Sequence, residues 1–138
     1  MESKIFDIRS MTLDDKNFIY ATWLRGLYYG NAEMRRIDQE AFFKHYPAVV
    51  TLILSKPTTV LVACLNSDPD VILGYSVASY DSVNPGILHW VYVKEAWRQQ
   101  GIAKSLIANR DLEYRTHYTE AVEKVNMIKN LTYNPFLI

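Results

Sequence analysis

The sequence predicts an α/β fold, with a mixed, mostly antiparallel sheet flanked by helices and a short C-terminal part. Apolar residues recur at helical spacing near the N-terminus, and three apolar, β-branched runs follow one another in the middle of the chain. At residues 88–104, LHWVYVKEAWRQQGIAK, a strand-like run meets a polar turn with one glycine and then a helix-forming stretch. With 138 residues, 49% of them hydrophobic, the chain is predicted to form a single domain over residues 1–138.

The N-terminal part predicts one strand followed by a helix. Residues 5–8 alternate weakly between apolar and polar, which is typical of a short strand. Residues 12–15 have the form of a capping box, so the helix is predicted to begin near Leu13 and to end near Gly30. Its apolar face recurs every four residues at Ile19, Trp23 and Leu27.

A second helical region follows. Asp38 is predicted to cap a helix, and Pro47 either kinks that helix or starts a new one through residues 49–54. Next come a strand at residues 58–65, a turn at residues 66–70 and a strand at residues 71–80.

A further turn at residues 81–86 leads to a third strand at residues 87–93, so the three strands are predicted to form an antiparallel meander. Beyond them, the periodicity predicts a helix from Gly101 to about residue 114. Residues 118–122 fit either a strand or the start of a last helix, residues 125–131 look helical, and residues 133–138 are predicted to form a final strand.

Charge and cysteine content exclude several classes of partner. Fifteen basic and fifteen acidic residues cancel, so no global charge favours nucleic acid or an anionic membrane. The first residues, MESKIFDIRS, carry charges where a secretory signal would have an apolar core, and no run approaches about 18 apolar residues. Cys64 is expected to be buried, and the scattered histidines predict no metal site, with His45 and His117 at the surface or at helix ends. We therefore expect a cytoplasmic protein, in the host cytoplasm if it is viral.

The segment after the third strand predicts a phosphate-binding site. A strand followed by a turn and a helix presents backbone N–H groups without partners inside the helix, and these suit a pyrophosphate. Gly101 would let such a ligand approach the backbone, while Arg98 and Lys104 would add positive charge. Neither GxGxxG nor GxxxxGK[ST] occurs in the chain, which argues against a dinucleotide or nucleoside-triphosphate fold.

The segment VKEAWRQQGIA, residues 93–103, resembles the acyl-CoA signature of the GNAT superfamily of N-acetyltransferases. The order of the predicted elements over residues 5–114 is also similar to that fold. The resemblance implies that acetyl-CoA is the co-substrate and that backbone groups of Val91, Tyr92 and Val93 bind its pantetheine arm. It also implies a pyrophosphate site made by Arg98, Gln99, Gln100, Gly101, Ile102, Ala103 and Lys104.

Two residues are candidates for the catalytic chemistry. The segment LHWVYVKEAWRQQG is similar to that of serotonin N-acetyltransferases, in which a histidine at the place of His89 belongs to the acid–base machinery. Their second histidine falls where this chain has Val91, so only half of that pair is present. In a regular strand His89 would share a face with Val91 and Val93, and it is the candidate general base. The late helix lacks the tyrosine that GNAT proteins use as an acid, so Tyr133 is the substitute candidate.

The resemblance implies a GNAT-like acetyltransferase that transfers an acetyl group to a primary amine by direct attack. The alternative is a protein of the same fold that binds acyl-CoA without catalysis or serves as an interaction module, which the missing tyrosine favours. The acceptor stays open between a small amine, a lysine side chain and a protein N-terminus, and so does the formation of a homodimer. The whole chain also looks like small GNAT proteins encoded by tailed phages.

Overall fold

The computed structural model describes residues 5–80, 86–107 and 111–138. Within them six strands form one sheet in chain order: β1 Phe6–Ser10, β2 Thr58–Leu65, β3 Asp68–Ser79, β4 Gly86–Val93, β5 Leu112–Arg115 and β6 Thr132–Tyr133. The helices are α1 Lys16–Gly30, α2 Gln39–His45, α3 Pro47–Ser55, α4 Ile102–Ile107 and α5 Asn126–Lys129. Short 3₁₀ turns lie at Leu13–Asp15, Met34–Arg36, Glu95–Trp97, Val122–Lys124 and Pro135–Leu137. The predicted α/β class is confirmed.

The sheet is antiparallel from β1 to β4 and parallel from β4 to β6. The predicted meander of β2, β3 and β4 is therefore confirmed. The turn between β2 and β3 is shorter than predicted, because Leu65 already pairs with Asp68. Of the next predicted turn, residues 81–85 lie outside the described part of the chain.

The start of the first helix is set by a buried carboxylate. Asp15 accepts hydrogen bonds from the Thr12 backbone N–H at 2.8 Å and from the Arg9 guanidinium at 2.7 and 2.9 Å. A 3₁₀ turn precedes α1, so the regular helix begins at Lys16, slightly later than predicted. Asp38 caps α2 as predicted, because its carboxylate accepts the Ala41 N–H at 3.1 Å.

Pro47 begins α3, one of the two alternatives left open by the sequence, where a missing N–H does no harm. Helices α1, α2 and α3 cover one face of the sheet, and α4 and α5 cover the other. The first face buries a cluster that includes Trp23, Leu27, Phe42, Tyr75 and Trp90. The second buries a cluster that includes Leu73, Leu88, Ile102, Leu106 and Ile128. Among the described residues, no helix has both the length and the apolar character needed to span a bilayer.

The C-terminal predictions were partly wrong. The helix predicted through residue 114 ends at Ile107 in the described part, residues 108–110 lie outside it, and Leu112–Arg115 is a strand. That strand forms because Leu112 and Arg115 pair with β4, a tertiary contact that no local pattern encodes. The predicted final strand is limited to its first residue: β6 ends at Tyr133, and Pro135 starts a 3₁₀ turn.

Candidate active site

Strands β4 and β5 separate in the middle of the sheet. Their parallel pairing ends at Leu88 and Arg115, after which the Thr116 N–H still donates to the Leu88 carbonyl at 3.1 Å. Strand β4 continues to Val93 against β3. Within the described residues, the β4 edge that carries Val91, Tyr92 and Val93 therefore faces the gap rather than a neighbouring strand. Such an edge can bind an extended amide-containing chain as an added strand would bind.

The turn after β4 has the backbone geometry of an anion-binding loop. Gln99 and Gly101 both have positive φ, 65° and 82°, and such a conformation turns successive N–H groups toward one side. The Arg98 side chain donates to the Val93 carbonyl at 3.0 Å, which fixes the turn against the end of the strand. Apart from its two chain neighbours, no described residue would have a heavy atom within 4 Å of a Cβ added at Gly101, so the space above this residue is open there.

The predicted pyrophosphate residues are thus brought together, although they differ in exposure. Arg98, Gln99, Gln100, Gly101 and Lys104 are exposed, whereas Ala103 is half-buried. Ile102 is buried in the core beneath α4, so only its backbone is available to a ligand. The Ser105 N–H donates to the Gly101 carbonyl at 3.0 Å, which joins α4 to this turn.

A small cavity lies between the separating strands. Its walls come from both strands, from the segment after β5 and from α5; they are Leu88, His89, Trp90, Val91, Arg115, His117, Thr119, Val122 and Ile128. The segment after β5 is held against α1, because Asn31 donates to the Tyr118 carbonyl at 2.9 Å and the Glu120 N–H donates to the Gly30 carbonyl at 3.0 Å. These two bonds fix the position of the wall that the segment after β5 contributes.

His89 is the extra residue of a β-bulge. Leu88 pairs with Ala78 and Trp90 pairs with Val77, so one additional residue stands between consecutive pairs. The regular alternation predicted for this strand is therefore wrong. Leu88 and Trp90, which would share a face in a regular strand, pack in opposite core clusters.

Both nitrogens of the His89 ring have hydrogen-bond partners. Nε2 lies 2.7 Å from the Ser79 hydroxyl, and Nδ1 lies 3.0 Å from the Thr116 hydroxyl. The imidazole is 2% exposed. It is thus a hydrogen-bonded interior histidine that also lines the cavity.

His117 is buried, so the expectation of a surface or cap position was wrong. Its Nδ1 lies 2.9 Å from the Thr116 hydroxyl and its Nε2 lies 2.8 Å from the Tyr46 hydroxyl. Its ring packs edge-on against Trp23 and Trp90, which themselves stack 5.7 Å apart. The sequence does not reveal this position, because its local pattern predicts the end of a helix where the strand that places His117 beside His89 lies. His45 is exposed near the end of α2, as expected.

Burial keeps these groups neutral near pH 7. Burial, with a smaller contribution from the positive charge of Lys56, lowers the pKa of His89 to about 4. Burial, followed by the neighbouring His89, lowers the pKa of His117 to about 3. Burial also raises the pKa of the Tyr46 phenol to about 12, and the nearby Tyr133 adds to that increase.

Tyr133 lies on β6, one strand beyond β5. Its side chain is exposed, at 47%, and its ring lies 6.3 Å from that of Tyr118. The Arg115 guanidinium lies over both rings, at 5.8 Å from Tyr118 and 5.9 Å from Tyr133. Because Arg115 lines the cavity, Tyr133 stands one side chain away from it. Among the described residues, no group of three His, Cys, Asp or Glu is placed to hold a metal ion.

Known proteins resemble this chain in both sequence pattern and fold. The family model described as Acetyltransferase (GNAT) family matches residues 20–117. No curated protein sequence matches the chain.

Among solved structures, a GNAT-family acetyltransferase from Staphylococcus aureus is 17% identical with a TM-score of 0.51, and the match covers 74% of this chain and 61% of that one. This chain therefore spans less than two thirds of that relative's length. A protein from Pyrococcus furiosus assigned as an acetyl transferase is 16% identical with a TM-score of 0.62, covering 94% and 81%. A transcriptional regulator from Bacillus halodurans is 17% identical with a TM-score of 0.54, covering 94% and 93%. These likenesses concern the fold, whereas the family model covers well over half of the sequence, and the chain belongs to the GNAT family of acetyltransferases.

Proposed function

We propose that this protein transfers an acetyl group from acetyl-CoA to the nitrogen of a primary amine, in the cytoplasm. The observation that carries the proposal is the β4 edge beyond Leu88, which no strand of the described residues pairs with and which runs directly into a turn with two positive-φ residues and then into α4. This arrangement matches the two chemical parts of the donor. An edge strand suits the amides of pantetheine, and converging N–H groups suit its pyrophosphate.

The proposed binding residues follow from that geometry. Backbone groups of Val91, Tyr92 and Val93 would hold the pantetheine arm beside the cavity. N–H groups from Gly101 to Lys104 would hold the pyrophosphate, with the exposed Arg98 and Lys104 side chains adding charge. A strand N–H near the bulge would polarise the thioester carbonyl.

The transfer requires a neutral amine that loses one proton as its nitrogen bonds to the carbonyl carbon. His89 is the proposed base, because it lines the cavity and its lowered pKa leaves it neutral near pH 7. The departing thiolate belongs to a thiol with a reference pKa of about 8.5 and can leave without an acid. Tyr133 is the proposed proton donor to the thiolate, but the reaction does not depend on it, since Arg115 stands between its ring and the cavity.

A second candidate function is acyl-CoA binding without catalysis. It is favoured by one observation: α5 carries no tyrosine, and the substitute Tyr133 lies away from the cavity wall. The two functions predict the same ligand binding and differ in turnover.

The test is the melting temperature with and without acetyl-CoA. At 100 times the dissociation constant, a ligand stabilises the folded state by about 2.7 kcal/mol, which corresponds to roughly 10 °C for a chain of this size. Lys104→Ala should reduce the shift, whereas Lys129→Ala removes an exposed lysine on α5 and should not. The absence of any shift at millimolar acetyl-CoA would reject the proposal.

Acetyl transfer to a panel of an alkylamine, an arylethylamine and a lysine-containing peptide would then separate catalysis from binding alone. A stabilised protein that acetylates none of the three classes would support the second candidate.

A further inference from the structure

Five side chains form one continuous series of hydrogen bonds through the interior. In order they are Ser79, His89, Thr116, His117 and Tyr46, and we name them the buried relay. The four successive distances are 2.7, 3.0, 2.9 and 2.8 Å. The three middle members are buried, at 2%, 2% and 8% exposure, and the two terminal hydroxyl groups are half-buried.

Each member can donate one hydrogen bond and accept another. A neutral imidazole has one N–H and one lone pair, and a hydroxyl has one proton and free lone pairs. The series can therefore be satisfied in two opposite directions. In one, Tyr46 donates to His117, which donates through Thr116 to His89, and His89 donates to Ser79. In the other, every donor and acceptor is exchanged.

Passage of one proton converts one direction into the other. A proton that arrives on one side of the relay bonds to the acceptor there, and each O–H or N–H beyond it then hands its own proton to the next acceptor. One proton leaves from the opposite hydroxyl, so the number of protons in the relay is unchanged. Passage of a proton back, or reorientation of the groups, restores the first direction.

We propose that the buried relay carries the proton released by the acceptor amine during acetyl transfer, with Thr116 and His117 acting through His89. This inference rests on the proposed function. In the step, the amine N–H bond breaks as the nitrogen–carbon bond forms, and the carbon–sulfur bond of the thioester breaks to release the thiolate. The amine's proton passes into the relay, and water accepts the proton that leaves it.

The hydrogen bonds of the rings determine where the proton enters. All four ring nitrogens already have partners, and His89 lines the cavity, so the amine's proton enters at His89 Nε2 in place of the bond to Ser79 and leaves through Thr116, His117 and the Tyr46 hydroxyl. Charged and titratable groups lie on three sides: Lys56 after α3 acts on His89, Tyr133 on β6 acts on Tyr46, and Arg115 shares the cavity wall with both histidines. The stacked Trp23 and Trp90 pack against the His117 ring, which is 8% exposed.

Thr116 allows the sharpest test, because it joins the two rings without being a base itself. Thr116→Val keeps the shape and removes the hydroxyl, so it interrupts the relay and leaves both imidazoles in place. We expect kcat with acetyl-CoA and the best amine of the panel to fall by about 100-fold, a typical loss for general acid–base catalysis. The KM for acetyl-CoA should stay close to that of the parent, and Thr116→Ser should recover most of the rate.

A matched control removes a buried threonine hydroxyl elsewhere. The Thr22 hydroxyl lies 2.9 Å from the Tyr75 hydroxyl, and Thr22 is 7% exposed. Thr22→Val should lower stability in a similar way while leaving kcat within about threefold of the parent. The proton inventory in mixed H₂O and D₂O adds a readout that a purely structural role would not move. It should be curved for the parent, as expected for several protons in transit, and should lose that curvature in Thr116→Val.

Two results would overturn the relay. One is a kcat of Thr116→Val equal to that of Thr116→Ser, with the same proton inventory. The other is a long-range ¹H–¹⁵N NMR spectrum of the parent in which His89 or His117 carries protons on both ring nitrogens at pH 7. By contrast, failure of the parent to bind acetyl-CoA or to acetylate any amine would reject the proposed function itself, and the relay's role with it.

Discussion

Acidification from pH 7 to pH 5 should destabilise the folded protein by about 4 kcal/mol. The cause is the pair of buried histidines. Their pKa values in the folded state are lowered to about 4 and about 3, whereas in the unfolded chain each has a pKa near 6.5. Between these values the unfolded state binds protons that the folded state excludes, so falling pH favours unfolding.

The magnitude depends little on the folded-state values. At pH 5 an unfolded histidine has gained about 2 kcal/mol from protonation relative to pH 7, while a folded one with a pKa at or below about 4 has gained almost nothing. The loss therefore begins near pH 6.5 and continues toward the folded pKa values. The lowered pKa of Asp15, caused mainly by its hydrogen bond to Arg9, adds a loss of the same sign only at lower pH. The window from pH 7 to pH 5 consequently reports on histidines.

The assay is urea unfolding at several pH values, followed by tryptophan fluorescence, since Trp23 is fully buried. His117→Gln should halve the difference between pH 7 and pH 5, to about 2 kcal/mol, whatever its effect on stability at pH 7. His45→Gln changes an exposed histidine and should leave the pH dependence unaltered. A parent whose free energy of unfolding changes by less than about 1 kcal/mol over this range would refute the claim that both rings are buried and neutral.

Three further substitutions test separate parts of the structure. Gly101→Val should abolish acetyl-CoA binding in calorimetry, because the side chain would occupy the space through which a phosphate approaches the backbone. It should lower the free energy of unfolding by only about 1–2 kcal/mol, since φ is 82° but the space for a Cβ is open. Retained affinity would reject the phosphate site. Asp15→Asn should lower the free energy of unfolding in urea by about 1–3 kcal/mol by weakening the bonds from Arg9, and an unchanged midpoint would contradict this. Gly74→Ala should lower the free energy of unfolding by about 3 kcal/mol or more, because the added Cβ would collide with the Tyr92 carbonyl oxygen. Thermal unfolding followed by circular dichroism tests this, and a melting temperature equal to that of the parent would argue against the close approach.

The elements that the sequence predicted well are those whose signal is local. The apolar face of α1, the cap at Asp38 and the meander of β2 to β4 depend on periodicity and on residues a few positions apart. The turn at residues 98–101 belongs to the same class, because a glycine between a strand and a helix is visible in the sequence itself. The family resemblance arose from that segment, and the family match covers it.

The short strands of the C-terminal part could not be predicted in this way. Strand β5 has four residues and β6 has two, too few for a reliable periodicity. Their strand conformation comes from parallel pairing with distant parts of the chain. Leu112 on β5 pairs with Gly86 on β4, 26 residues earlier, and β6 pairs in turn with β5. Local periodicity alone instead extends the preceding helix to about residue 114.

By itself the sequence determined the fold class, the helices and strands with strong apolar patterns, and the turn that marks the family, because burial of apolar side chains repeats along the chain with the period of each element. Only the tertiary structure decided the bulge at His89 and the partners of its ring. Those partners are 10 and 27 residues away, and Tyr46 is 71 residues from His117. A hydrogen bond between buried side chains depends on positions within a few tenths of an ångström, which packing sets and sequence spacing does not.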